Sequence, residues 1–317
     1  MNKLNIVSEN DNSTVLAEYT VLKRVETAYQ GETALEIELI NTLIEQGYER
    51  LTITNEGELI LNLKKQLEKL NKYTFTDGEW EYLYSTIISN KNDYIIEKTR
   101  LIQENYIQPL TLDDCSLKNI YLIDKNNIHN NSVQVLNQYV NNDGNYDNRY
   151  DVTILVNGLP LVHIELKKRG VDLREAFNQI ERYQRDSFWA GSGLYNFVQI
   201  FVISNGTLTK YYSNTTREFH INNQKNKKSN SFEFTSYWAD QKNNGITDLI
   251  DFAKTFFTKH TLLNTSLSAF FLINCDSFCI VVIIIFALGS FNCSSNTLVD
   301  VLELAAPSLK RSYSFIV

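Results

Sequence analysis

Three polar residues lie in one short stretch of the chain with the types and spacing that a single divalent metal ion could use. They are Asp151, Glu165 and Lys167, in the sequence DVTILVNGLPLVHIELK of residues 151–167. Mg²⁺ prefers oxygen ligands and keeps several waters, so two carboxylates, a backbone carbonyl such as that of Leu166, and water form a suitable coordination shell. Lys167 could then stabilise or orient an attacking hydroxide. The pattern is typical of metal-dependent hydrolysis.

A β-hairpin is the element that must position these residues. Residues 151–156 and 161–167 are rich in Val, Ile and Leu, and the Asn-Gly-Leu-Pro sequence at 157–160 between them has the composition of a turn. A three-residue loop would bring Asp151 directly opposite Glu165, close enough for both carboxylates to share an ion. A two-residue turn would shift the pairing by one residue.

One face of the second strand would carry the polar side chains. Side chains alternate along a strand, so His163, Glu165 and Lys167 share a face while Val162, Ile164 and Leu166 pack inward. We interpret His163 as a supporting or tolerated residue on this face, not as a ligand. A surface hairpin with an ion pair on its solvent-facing side would give the same pattern, so that alternative stays open.

The bulk properties limit the partners that the chain can have. At 317 residues it can hold one large domain, or a domain and a fragment of another. A net charge of -7 argues against a surface that is basic all over, so a nucleic-acid partner needs a local basic track. Candidates beside the hairpin are Lys167, Lys168, Arg169, Arg174, Arg182 and Arg185. A charge run is usually only a solvated face, which is the alternative.

The cysteines and the N-terminus predict a cytoplasmic location. Cys115, Cys275, Cys279 and Cys293 show neither CxxC pairing nor histidines at zinc-finger spacing, so we expect reduced thiols. The N-terminal MNKLNIVSENDNST has no basic segment followed by an apolar one, which is the mark of a secretory signal.

A helix and a strand precede the hairpin. Residues 32–46 have the apolar stripe of an amphipathic helix. Its Glu36 has two interpretations: an acid that reaches the metal or its water, or the Glu of a capping box that begins at Thr33. Residues 50–131 contain helical patterns and look like an inserted subdomain, and residues 132–140 are predicted to form a strand.

A helix and a buried strand follow the hairpin. Asp172 and Glu175 have the spacing of a capping box at the start of a helix on which Gln179 and Tyr183, four residues apart, are neighbours. Residues 197–204 are nearly all apolar, as in a strand that is covered on both faces. The predicted order is therefore an αβββαβ core, an α/β fold with a mixed sheet flanked by helices and a mainly helical insert.

These residues match a known family. The element order and the D…ExK pattern on a hairpin resemble the PD-(D/E)xK nuclease superfamily, with Tyr150-Asp151 in place of Pro-Asp. The chain also resembles a narrower family, the N-terminal nuclease domain of the restriction (R) subunit of type I restriction-modification enzymes. The resemblance rests on the strings NGLPL at 157–161, ELK at 165–167, QIERY at 179–183 and FVISNG at 201–206. The resemblance covers about residues 10–265.

The resemblance implies roles for individual residues. Asp151 and Glu165 would be metal ligands, Lys167 the catalytic lysine, and Gln179 and Tyr183 the QxxxY motif that contacts DNA or braces the site. Without the family, Tyr183 in the core and Gln179 bonded to a loop would be the simpler explanation. The implied chemistry is Mg²⁺-dependent hydrolysis of double-stranded DNA, with separate methylation (M) and specificity (S) subunits as partners.

The C-terminal part departs from the family pattern. The sequence has no G-x-x-x-x-G-K-[ST] motif, so the ATP-driven motor expected of the full-length enzymes is not predicted here. We predict a nuclease domain at 1–260 and a non-matching apolar, Cys- and Ser-rich tail at 261–317, interpreted as the truncated entry to the motor region. Alternatives are a non-catalytic remnant that still binds its complex, or a membrane anchor at 270–288, which Asn274 and Asp276 disfavour.

Overall fold

A computed structural model describes residues 5–10, 13–18, 30–141, 148–214, 234–240 and 243–267. The chain divides into two compact units, Met1–Phe271 and Leu272–Val317, and every described residue belongs to the first. The predictions for the tail beyond residue 267, the anchor at 270–288 included, fall outside the described residues. Within those ranges, no helix has both the length and the apolar character needed to cross a bilayer.

A six-stranded mixed sheet is the centre of the fold. Its strands, in spatial order, are β10 (Thr209–Ser213), β9 (Ile200–Ser204), β8 (Leu159–Leu166), β7 (Asn148–Val156), β6 (Val133–Asn141) and β3 (Glu49–Arg50). The β8–β9 and β3–β6 pairs are parallel and the other pairs are antiparallel. The sequence order of helix, β6, β7, β8, helix and β9 confirms the predicted αβββαβ core.

Seven α-helices are described. They are α1 (Glu32–Glu45), α2 (Glu56–Asn71), α3 (Asp77–Tyr82), α4 (Ile95–Gln103), α5 (Leu173–Asp186), α6 (Leu249–Phe256) and α7 (Lys259–Leu267). Three small antiparallel pairs complete the strands: β1 (Asn5–Asn10) with β2 (Ser13–Glu18), β4 (Ile107–Thr111) with β5 (Leu117–Tyr121), and β11 (Trp238–Ala239) with β12 (Gly245–Ile246). Residues 50–131 hold α2, α3, α4 and one hairpin, and are thus mainly helical as predicted.

The capping boxes considered for α1 and α5 are not formed. The N-cap of α1 is Gly31, in an extended conformation with no side-chain cap, so the capping-box interpretation of Thr33 and Glu36 is wrong. The helix begins before Thr33, and the Glu36 side chain is not part of its cap. The N-cap of α5 is Asp172 as expected, but its side chain accepts from the Arg174 amide at 2.9 Å and not from that of Glu175.

The hairpin turn is the shorter of the two alternatives. Only Asn157 and Gly158 lie outside the strands, with φ of 50° and 83°, which are left-handed values suited to a two-residue turn. By itself this turn would put Asp151 out of register with Glu165. A bulge corrects the register, because Leu155 pairs with Pro160 while Ile154 pairs with Val162. The turn and the bulge together give the offset of a three-residue loop.

Both faces of this hairpin are covered. Every residue of β8 is buried, and helix α5 packs on the sheet through its apolar face, which includes Ala176, Phe177 and Ile180. The interpretation of the hairpin as a surface element with a solvent-facing ion pair is therefore wrong. Glu165 is fully buried, and a charged group in such a place requires partners or a bound cation.

Candidate active site

Asp151 and Glu165 meet at the end of the β7–β8 pairing. The last paired residues are Val152 and Ile164, so continued register places Asp151 opposite Glu165. The Asp151 side chain turns to the other strand, where its Oδ2 accepts from the Leu166 amide at 2.9 Å. The hairpin thus brings two carboxylates to one point, as the sequence predicted for a three-residue loop.

Burial changes the protonation of both carboxylates. Desolvation, with a contribution from the charge of Glu165, raises the pKa of Asp151 to about 7. Desolvation also raises the pKa of Glu165 to about 7, although the ammonium of Lys167 opposes the shift. The Oε2 atom of Glu165 is buried and has no hydrogen-bond partner. A cation bound here would remove the cost of ionising this pair.

Lys167 lies between the carboxylates and helix α5. Its Nζ donates to Glu165 Oε1 at 3.0 Å and to Gln179 Oε1 at 2.7 Å. The Gln179 amide donates to the Tyr183 hydroxyl, which in turn donates to the Arg149 carbonyl of β7 at 2.8 Å. Two of the three ammonium hydrogens are therefore used by protein groups, and the side chain remains 13% exposed.

Gln179 and Tyr183 thus form a chain from the lysine to the strand that carries Asp151. Tyr183 is buried, as the simpler explanation required, but Gln179 is bonded to Lys167 and Tyr183 and not to a loop. Burial raises the pKa of Tyr183 to about 12, so its hydroxyl keeps its proton and remains a donor to Arg149. The geometry brings together Asp151, Glu165, Lys167, Gln179 and Tyr183.

His163 lies behind the carboxylates in an aromatic cluster. Its ring is fully buried beside Tyr150, Tyr183, Phe188 and Phe201. Its Nε2 is 3.6 Å from Glu165 Oε2, too far for a hydrogen bond, and neither ring nitrogen has a partner. Desolvation lowers the pKa of His163 to about 4, so the imidazole is neutral at pH 7.

Glu36 reaches the sheet one strand away from the two carboxylates. Its carboxylate accepts from the side-chain amides of Asn137, at 2.6 Å, and Gln138, both on β6. Helix α1 therefore presents an acid to the strand beside Asp151. Across the described ranges, no group of three or more His, Cys, Asp or Glu side chains has the geometry of a complete metal site.

The predicted basic cluster separates into paired and unpaired residues. Arg169 bonds Gln30 and Thr207, and Arg185, with a 73% exposed side chain, pairs with Asp186 at 2.9 Å. Arg182 is exposed and lies over the ring of Tyr183, 5.4 Å from its centroid. Among the described residues, no carboxylate pairs with Arg182, so its guanidinium is open to an external anion beside the site.

Comparison with known proteins identifies the fold that carries this site. Residues 29–220 match the family described as type I restriction enzyme R protein N terminus. The chain belongs to this family. It is also 46% identical over 259 residues to the type I restriction enzyme EcoprrI endonuclease subunit of Escherichia coli, which covers 81% of this chain and 80% of that protein.

Longer relatives match this chain over only a part of their own length. The SsaAORF53P endonuclease subunit of Staphylococcus saprophyticus is 42% identical over 233 residues, which are 72% of this chain but 23% of that protein. The putative MjaIXP endonuclease subunit of Methanocaldococcus jannaschii is 28% identical over 145 residues, or 42% of this chain and 13% of that protein. This chain therefore spans about a quarter of the length of the staphylococcal type I subunits.

Sequence reasoning missed two parts of the site. It did not find the Arg149 carbonyl as the acceptor for Tyr183, because a backbone group leaves no trace in residue type. It also missed Asn137 and Gln138, the partners of Glu36. Two adjacent polar residues within an apolar strand pattern were the available signal, since one of them must face a buried surface.

Proposed function

We propose that the chain is a Mg²⁺-dependent endonuclease domain that hydrolyses phosphodiester bonds of double-stranded DNA. The observation that carries the proposal is the position of Lys167, bonded to Glu165 and Gln179 beside the carboxylate of Asp151. Membership in the type I restriction enzyme R protein family supports DNA as the substrate.

The donor atoms at the site fit a hard divalent cation. Asp151 and Glu165 offer carboxylate oxygens, and Glu165 Oε2 is buried without a partner. The Leu166 amide faces Asp151, and in a strand the carbonyl of a residue points to the same neighbouring strand as its amide. We therefore assign the ligands as Asp151, Glu165 and the Leu166 carbonyl. A bound Mg²⁺ would polarise the phosphate and ease deprotonation of the attacking water.

The protein side chains have separate tasks in this scheme. Asp151 and Glu165 would hold the cation, and the third N–H of Lys167 would be free to contact the attacking water or the phosphate. Gln179 fixes the lysine by accepting one of its hydrogens, and Tyr183 fixes Gln179 against β7. Buried aromatic rings behind Glu165 keep bulk water away and strengthen these charge interactions.

Membership in the family supports a proposal for the cellular context. We propose that the nuclease domain spans residues 1–260 and acts in restriction of foreign DNA together with M and S subunits in the cytoplasm. Translocation by ATP would be supplied by motor domains in the full-length family enzymes. A non-catalytic remnant that keeps only the capacity to bind this complex is the competing function.

A plasmid-nicking assay tests the enzymatic proposal. Supercoiled DNA is incubated with the full chain in Mg²⁺ or in EDTA, and the wild type is compared with Asp151→Ala and Lys167→Ala. We expect Mg²⁺-dependent nicking by the wild type alone, because each substitution removes a ligand or a cation from the reaction centre. Equal behaviour of the three proteins would refute catalysis and favour the remnant.

Arg182 is predicted to contact the DNA backbone next to the cut. An Arg182→Ala substitution should weaken DNA binding by about three- to tenfold at low salt and reduce the salt dependence by about one phosphate contact. The measurement is fluorescence anisotropy with a duplex in Ca²⁺, over a range of salt concentrations. Arg100→Ala, which removes an exposed arginine from α4, is the matched control. A similar loss in both variants would show a general charge effect and contradict the contact.

A further inference from the structure

The strand ladder is interrupted at Asp151. Residues 148–150 and 152–156 of β7 all pair with β6, in a register that is the same on both sides of the gap, while Asp151 has no partner. Its pairing with β8 also stops one residue away, at Val152. Asp151 is the only residue of β7 that lacks a ladder partner on both sides. The interruption therefore coincides with one of the two candidate metal ligands.

The cause of the gap lies on β6. Gln138 is the residue that the register places opposite Asp151, and its φ is 55°, in the left-handed region that side chains with a Cβ rarely adopt. Such a conformation is strained and persists only where the surroundings impose it. No residue is inserted at this point, since the register is continuous. The distortion is thus local to Gln138 and Asp151.

Glu36 stabilises the left-handed conformation of Gln138. In a regular strand, adjacent side chains point to opposite faces. Here Asn137 and Gln138 are adjacent, yet both donate their side-chain amides to the carboxylate of Glu36. The left-handed backbone at Gln138 allows both amides to reach one acid, which is itself buried on helix α1.

We infer that Gln138, held by Glu36, is a positioning residue that releases Asp151 from the sheet so that its carboxylate can turn toward the Leu166 amide and the metal. The inference rests on the proposed function, because it takes Asp151 to be a metal ligand. It gives Glu36 an indirect role: the acid acts on the shape of β6, and through it on Asp151. An extended residue at 138 would complete the ladder and draw Asp151 into it.

Substitutions at position 138 that differ in their backbone preference test the inference. Valine strongly disfavours the left-handed region, whereas asparagine tolerates it and retains an amide. We expect Gln138→Val to weaken Mg²⁺ binding about tenfold or more, the loss typical when a group that orients a ligand is removed, and Gln138→Asn to stay within about threefold of the wild type. Glu36→Gln, which leaves residue 138 unchanged, should weaken Mg²⁺ binding in the same direction.

Mg²⁺ affinity is measured on the full chain by isothermal titration calorimetry, with metal-free thermal unfolding as the check on folding. Wild-type affinity in folded Gln138→Val or in Glu36→Gln would overturn the inference while leaving the proposed function intact. If Gln138→Val does not fold, Glu36→Gln alone decides. A wild type that neither binds Mg²⁺ nor nicks DNA would remove the proposed function and the inference together.

Discussion

Replacing Lys167 with methionine is expected to lower the rate constant for DNA cleavage about 10²- to 10³-fold, the usual loss when a charge-stabilising donor is removed. Gln179→Leu is expected to lower it by about tenfold or more, because it removes the 2.7 Å acceptor that fixes the lysine. If Gln179 acts only through Lys167, adding Gln179→Leu to Lys167→Met should change the rate by less than about twofold. Single-turnover cleavage of a duplex measures all four proteins.

Gln184→Leu is the matched control for this cycle. Gln184 lies on the same helix, has the same side chain and makes no hydrogen bond through its buried Oε1. It should leave the cleavage rate unchanged. Additive losses for Lys167 and Gln179 would show that Gln179 contacts the substrate or the reaction directly, and would contradict its assignment as a positioning residue.

The largest loss of stability is expected at the turn of the β7–β8 hairpin. Gly158 has a φ of 83°, and a Cβ there would lie 2.6 Å from the Cα of Leu63 in helix α2. Gly158→Ala should therefore lower the free energy of unfolding by about 3 kcal/mol or more, from left-handed strain together with overpacking against a backbone that cannot move aside.

Gly47→Ala separates these two causes. Gly47 also has a positive φ, of 90°, but no atom lies within 4 Å of the position that a Cβ would take. Gly47→Ala should lower the free energy of unfolding by only about 1 kcal/mol, from the left-handed strain alone. Urea unfolding of both variants gives the comparison. Equal losses would mean that α2 yields at Leu63, and that the turn is not held by close packing.

The sequence was sufficient for the element order and for the residues that meet at the site. Alternating apolar residues and turn composition predicted the hairpin, and the four-residue spacing of Gln179 and Tyr183 placed both on one side of a helix. These patterns are local, so they depend only on side-chain periodicity. What covers a strand is not local. The burial of the Glu165 face therefore could not be distinguished from solvent exposure without the position of α5.

Backbone conformation was the part that the sequence did not reveal. Gln138 is not a residue type that signals a left-handed φ, and its conformation depends on Glu36, about a hundred positions earlier in the chain. The capping-box interpretation of Thr33 and Glu36 failed for a related reason: the two residues have capping-box spacing, but Glu36 has stronger partners on β6. A tertiary contact overrode a local pattern in both cases.

The bulge in the hairpin determines which side chains of β8 face the candidate site. Because side chains alternate with a period of two, a one-residue change between the turn and Glu165 would exchange the two faces of β8 beyond it. Glu165 and Lys167 would then exchange sides with Leu166. A two-residue turn with one bulged position and a three-residue loop without a bulge therefore place Glu165 and Lys167 on the same face. Lengthening the turn alone, or removing the bulge alone, would move both residues to the opposite face. Length variation in this hairpin is neutral only in compensating pairs.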